Sequence, residues 1–319
     1  MSYYPPAPVY GGGWGAQPAL DPLISREIGG WFGKAFGIMR RSWRGLLAVA
    51  ALALLPETAL FAMAGLAAAG HEFVLAIVLG GVGAVVAWFM LFLAESAAVW
   101  LAARQAAGLP ATVGRAYGFA LSRFGALLGR GILFGLLALG GLVLCLIPGL
   151  FVIAVAAATM PAIVLFERGG GLVRRAFRLF NAQFWPAVGR VMLAWLVVSA
   201  ATSLFQFIPQ VAGLGRVTQT GDAPDETVKV HGIGTLAHWR TADGANHYHW
   251  SWHLSVALLV ATGVALLLGQ LLGMVARPAF ELATYAWLRG VENPQLTTAT
   301  LVAGLDGQPP AAPQQPTWA

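Results

Sequence analysis

Six long apolar runs decide what this chain can become. They cover residues 46–69, 73–101, 127–147, 150–166, 187–208 and 254–276. A helix needs about 20 apolar residues to cross a hydrocarbon core of about 30 Å, and most of these runs reach or approach that length. Composition closes the soluble alternative. Of 319 residues, 58% are hydrophobic and 10% charged, with a mean hydropathy of +0.72, whereas a soluble domain carries about a quarter charged residues. One aqueous core cannot bury that much apolar surface, so lipid is the solvent for much of the chain. The expected fold is all-α: a polytopic transmembrane helix bundle of about six spans.

The runs pair. His71-Glu72 separates the first two, Pro148-Gly149 the middle two, and the long segment 213–253 the last two, which makes three hairpins. Before each hairpin stands an alanine–aromatic pair: Ala35-Phe36, Ala116-Tyr117 and Ala176-Phe177. A second aromatic, Trp43, Phe124 or Phe184, follows eight residues after each alanine. Internal repetition is therefore expected, loosely spaced. These leading segments are amphipathic. Ile28, Phe32, Ala35, Met39 and Trp43 share one helical face, as do Val113, Tyr117, Ala120 and Phe124, and Val173, Phe177, Phe180 and Phe184, with arginines off it. Such segments are expected to form separate interfacial helices, aromatics toward lipid and arginines toward phosphate.

The net charge of +6 would suit a nucleic-acid binder, but there is no basic face with interleaved aromatics outside the apolar runs, so nucleic acid is not an expected partner. Sixteen of the nineteen basic residues flank the odd-numbered starts and even-numbered ends of the runs, counting Arg130 and Arg190 with them. Three, Arg216, Lys229 and Arg240, fall in segment 213–253. The positive-inside rule then puts both termini in the cytoplasm and 213–253 outside. Anionic lipid headgroups are the expected partners, with Arg174, Arg175 and Arg178 as candidate contacts.

Residues 1–22 and 294–319 bracket the helical body of 23–293. Their Pro/Gly/Tyr-rich and Pro/Gln-rich stretches are expected to be disordered and available to protein partners. Residues 1–22 lack the basic-then-apolar order of a cleavable signal, so the first run is expected to be a retained span. The one cysteine, Cys145, lies in an apolar run and is expected to pack as a small hydrophobe.

The stretch Leu146-Ile147-Pro148-Gly149, then Met160-Pro161, Leu165-Phe166-Glu167, the segment 172–184 and the closing Tyr285-Ala286-Trp287-Leu288-Arg289 resemble bacterial six-helix membrane proteins. These are the YciC-like proteins and the related membrane domain found beside glycerophosphoryl diester phosphodiesterases. The resemblance covers most of residues 22–293. It implies a multi-pass protein of the bacterial plasma membrane and little about chemistry. No phosphodiesterase domain is fused here, and segment 213–253 is longer than the family's pattern.

Catalytic signatures are missing: no phosphate-cradling glycine loop, no Gly-x-Ser-x-Gly, and no His-Glu-x-x-His, because Leu75 stands where His71-Glu72 would need a second histidine. No enzyme activity and no cofactor or metal are expected. Segment 213–253 holds His231, His238, His247, His249 and His253. Such a group can bind zinc or copper, but interfacial histidine and tryptophan around a small β-hairpin are the commoner use. Small-residue pairs at Gly125/Gly129, Gly131/Gly135 and Gly269/Gly273 are spaced for close helix approach. Glu95, Glu167 and Glu281 have Arg104, Arg168 and Arg277 nearby and read as interfacial anchors, with Arg277 and Glu281 spaced for an ion pair. Glu57 is the odd residue. It lies eleven residues into the first run, roughly 16 Å deep, after Pro56, where a charge costs at least about 2.5 kcal/mol. A neutral carboxyl bonded to a carbonyl freed by Pro56 is the simple expectation, and a proton or cation site the functional one. The expected role is a membrane scaffold or accessory protein, with a transporter or channel using intramembrane acids as the alternative.

Overall fold

The computed structural model describes residues 21–25, 27–167, 171–211, 217–220, 226–230, 234–240, 246–252 and 256–305. The chain begins with α1 (Ile28–Ala69), which turns at His71 into α2 (Phe73–Ala106). The amphipathic α3 (Val113–Ser122) leads into α4 (Phe124–Leu144), α5 (Leu146–Thr159) and the short α6 (Ala162–Phe166). A second amphipathic helix, α7 (Leu172–Ala182), leads into α8 (Phe184–Val211). After four strands come α9 (Val256–Glu292) and α10 (Thr298–Ala303).

Five of these helices, α1, α2, α4, α8 and α9, are long and apolar enough to cross a membrane. The fourth apolar run, the short one expected to extend into residues 160–167 at an angle, does so. Its helix α5 has 14 residues, about 21 Å at 1.5 Å per residue, which is too short by itself for a hydrocarbon core of about 30 Å. A cis Met160–Pro161 bond separates it from α6.

The leading segments also divide. The second and third form separate helices, as expected, but their aromatic faces turn into the protein and not toward lipid: Phe180 is fully buried, and Tyr117, Phe124, Phe177 and Phe184 pack against the core. Arg123 and Gln183 leave helical geometry between α3 and α4 and between α7 and α8. At the first break the Ser122 hydroxyl donates to the Phe119 carbonyl at 2.7 Å, a local bond that competes with helix continuation. The first segment instead runs unbroken into its span as the 42-residue α1, a correction to the expectation of a third interfacial helix. Ala35, Ala116 and Ala176 are all fully buried. So are Leu46, Leu127 and Ala187, eleven residues further on in each case.

Packing is concentrated at one end of the bundle, here called the terminal end because both terminal segments meet there. Asp21 accepts from the Leu23 and Ile24 amides at 2.9 and 2.8 Å and from the Thr298 amide at 2.8 Å. Leu23 and Ile24 are buried, and Gly290 of α9 makes room for them: a Cβ there would lie 2.6 Å from Ile24 Cγ2. A Thr297/Thr300 capping box starts α10, whose Leu301 and Val302 are buried with Leu305. Residues 294–305 thus belong to the folded body, which extends past the boundary expected at 293. Residues 1–20 and 306–319 lie outside the described residues.

The opposite, hairpin end is apolar and exposed, with Leu66, Val74, Ile77, Val143, Leu144 and Ile147 each at least 74% accessible. Here α4 and α5 close on each other through glycine: a Cβ on Gly141 would stand 2.7 Å from the Gly149 amide nitrogen. Cys145 forms the extended turn between them and is exposed, where packing had been expected.

Between α8 and α9 lies a four-stranded antiparallel meander, β1 (Val217–Thr220), β2 (Glu226–Val230), β3 (Gly234–Arg240) and β4 (Asn246–Trp252), in sequence order. Its registers pair Val217 with Val230, Val228 with Leu236 and Trp239 with His247. The expected hairpin is thus doubled, and the helical bundle carries a small β insertion.

Candidate functional site

Because the helices pack at the terminal end and part further along, they leave between them a partly open chamber of about 2640 Å³. Its wall draws on α1, α2, α4, α5, α8 and α9 and is mostly apolar: Phe61, Phe92, Phe134, Phe151, Val188, Trp195 and Leu266 are typical. Polar groups enter at few points: Glu57 and Thr58 from α1, Glu95 from α2, Ser199 and Thr202 from α8, and Gln270, Arg277, Glu281 and Thr284 from α9.

Prolines stand beside two of the carboxyls. Pro56 lies inside α1 and Pro278 inside α9, and each removes one backbone hydrogen bond from a helix that nonetheless continues. At Pro161 the chain does leave the helix, and the Ala162 amide donates to Glu281 at 3.2 Å. Glu95 and Glu281 stand about three turns inside the helix ends at Ala106 and Glu292, roughly 16 Å along each axis. They lie within electrostatic reach of each other and of Arg277. Glu95 and Glu281 therefore face the chamber, where sequence spacing placed them as interfacial anchors. Among the described residues no ion pair joins Arg277 to Glu281, and Arg277 is exposed.

Glu57 is 3% exposed, and its Oε2 has no hydrogen-bond partner. Beside it Thr58 donates to the Leu54 and Leu55 carbonyls at 2.8 and 3.0 Å.

A second polar group sits at the terminal end, where both carboxylates are paired with arginines. Glu167 accepts from Arg175 Nε at 3.1 Å, from the Tyr285 hydroxyl at 3.0 Å and from Arg289. Arg175 makes a two-pronged contact with Glu292, whose carboxylate holds the guanidinium above its ordinary pKa. Two acids and two arginines close a neutral network across the α6–α7 connection, α7 and α9. Of the three arginines expected at headgroups, Arg175 is thus turned into the protein, while Arg174 and Arg178 are exposed. Nearby, Tyr117 of α3 donates to the Val49 carbonyl of α1 at 2.8 Å, and burial pushes its phenol up to about 12.

Among the described residues no group of three or more His, Cys, Asp or Glu is gathered to hold a metal ion. His231 and His253, and the side chains of His238, His247 and His249, lie outside the description. Of the small-residue pairs, Gly269 and Gly273 meet Phe205 and Thr202 of α8, and Gly131 meets Phe92, while Gly125, Gly129 and Gly135 have open space. Proline was the available signal for the chamber: Pro278, three residues before Glu281, marks α9 as Pro56 marks α1. Compared with family models, curated proteins and solved structures, the chain matches none.

Proposed function

We propose that this integral membrane protein takes an amphiphile from the surrounding bilayer into its chamber, as a carrier or binding protein. The observation that carries the reading is the chamber itself. It is about 2640 Å³, against about 300–1,000 Å³ for an ordinary small-molecule pocket, and is walled by apolar side chains with a few fixed polar groups. A scaffold needs no such space, so the geometry favours the transport alternative over the scaffold role expected from the sequence. Nothing in the reading requires catalysis. Discontinuous helices with polar groups deep in the bilayer are how many transporters build cargo sites.

Within this reading the basic terminal end faces the cytoplasm of a bacterial cell, and Arg174 and Arg178 meet anionic headgroups. An impermeant thiol reagent should then label Thr220→Cys and spare Ser2→Cys in intact cells. Membership of the YciC-like six-helix group belongs to the same proposal and rests on the segments from 146 to 184 and 285 to 289. Native mass spectrometry of the purified protein tests the central claim. A bound amphiphile that survives detergent exchange is expected, and its occupancy should fall when Ala157→Trp narrows the chamber wall. Equal occupancy in both proteins would refute it.

A further inference from the structure

We infer that the chamber selects an amphiphile with an ammonium head, held by Glu57 in a space that Glu95 and Glu281 also line. The inference rests on the chamber reading and adds the head-group class. The balance of groups is the first argument: three acidic side chains, Glu57, Glu95 and Glu281, stand against Arg277 and His71 along the space, so a cationic head finds more partners there than an anionic one. The second is independent of the count. Glu57 is nearly inaccessible, lines the chamber and has an oxygen with no partner. An unsatisfied carboxylate at membrane depth is costly, and an ammonium supplies both the missing N–H donors and the countercharge in one short charge-assisted bond. The third is spacing. The acids are not gathered tightly enough to hold a metal ion among the described residues; they stand around a wide, apolar-walled space. That arrangement fits a bulky cation with an apolar tail better than a bare ion. Two sources share this chemistry: an amine-bearing membrane lipid and a free long-chain amine.

The test uses full-length protein in neutral detergent and three photoreactive dodecyl probes, an amine, an alcohol and a carboxylate, with crosslinks mapped to α1, α8 and α9. The amine is expected to label chamber residues about tenfold more than the alcohol, the worth of one charge-assisted hydrogen bond. Glu57→Gln should bring the amine down to the alcohol's level. The ranking of the three probes on unaltered protein stands by itself if the variant does not fold. Competition by an ethanolamine-headed phospholipid in nanodiscs points to a bilayer source, and competition by free dodecylamine alone to a soluble one; both support the inference. Equal labelling by amine and alcohol, or strongest labelling by the carboxylate through Arg277, overturns the ammonium head and leaves the chamber reading standing. No chamber labelling by any probe overturns both.

Discussion

Two sets of acids, one partly exposed at the terminal end and one in the chamber, are treated by the protein in opposite ways. At the terminal end Glu167 and Glu292 each meet two arginines, and Tyr285 completes the shell. In the chamber Glu57 has an oxygen with no partner, and Glu281 has one amide. Side chains keep 16% to 22% exposure at Glu167, Arg175 and Arg289, close enough to water for ions to be tolerated and far enough for their pairing to matter. Among the described residues no arginine forms an ion pair with the chamber acids. A fold that pairs its carboxylates in one place leaves a carboxyl oxygen without a partner in another.

The largest expected difference comes from removing one acid of each kind. Glu167→Ala leaves Arg175 and Arg289 with Glu292 as their one shared anion and should cost about 2–3 kcal/mol, below the full loss for a wholly buried pair because the groups are partly exposed and keep that partner. Glu57→Gln, which breaks no internal contact, should stay within about 1 kcal/mol. Thermal unfolding of the two variants in one detergent compares them directly. A larger loss for Glu57→Gln would mean its carboxyl is structural and would remove the contrast.

A smaller effect should separate packed from open glycines. At Gly290 a methyl group meets Ile24 Cγ2 at 2.6 Å, whereas at Gly135, on the chamber wall, nothing stands within 4 Å. Gly290→Ala should cost about 1–3 kcal/mol through overpacking. Gly135→Ala should be neutral or gain up to about 1 kcal/mol from helix propensity. Equal losses at the two sites would show that the chamber wall is packed in the working protein.

The smallest effect on stability distinguishes the arginines of α7. Replacing Arg174 and Arg178 together by glutamine should change unfolding by no more than about 0.5 kcal/mol. The same pair should weaken association with anionic vesicles by about 1 kcal/mol per residue. Arg175→Gln should do the reverse, since its guanidinium is spent on Glu167 and Glu292. Matching vesicle losses for all three would put Arg175 back among the headgroup contacts.

Apolar run length was enough to establish a helix bundle with several segments able to cross a membrane, because hydrophobic matching to lipid is a property of each segment alone. The same local reasoning found α3 and α7 and singled out Glu57, since the cost of a carboxylate at depth depends only on its position in a span. It failed where the answer depended on a neighbour. Whether Arg175 faced lipid turned on Glu292, 117 residues away. Glu95 and Glu281 carry no sequence mark that tells an interfacial anchor from a chamber wall. That choice was made by helices that pack tightly at one end and diverge toward the other, a geometry set by contacts among distant residues that no single segment contains.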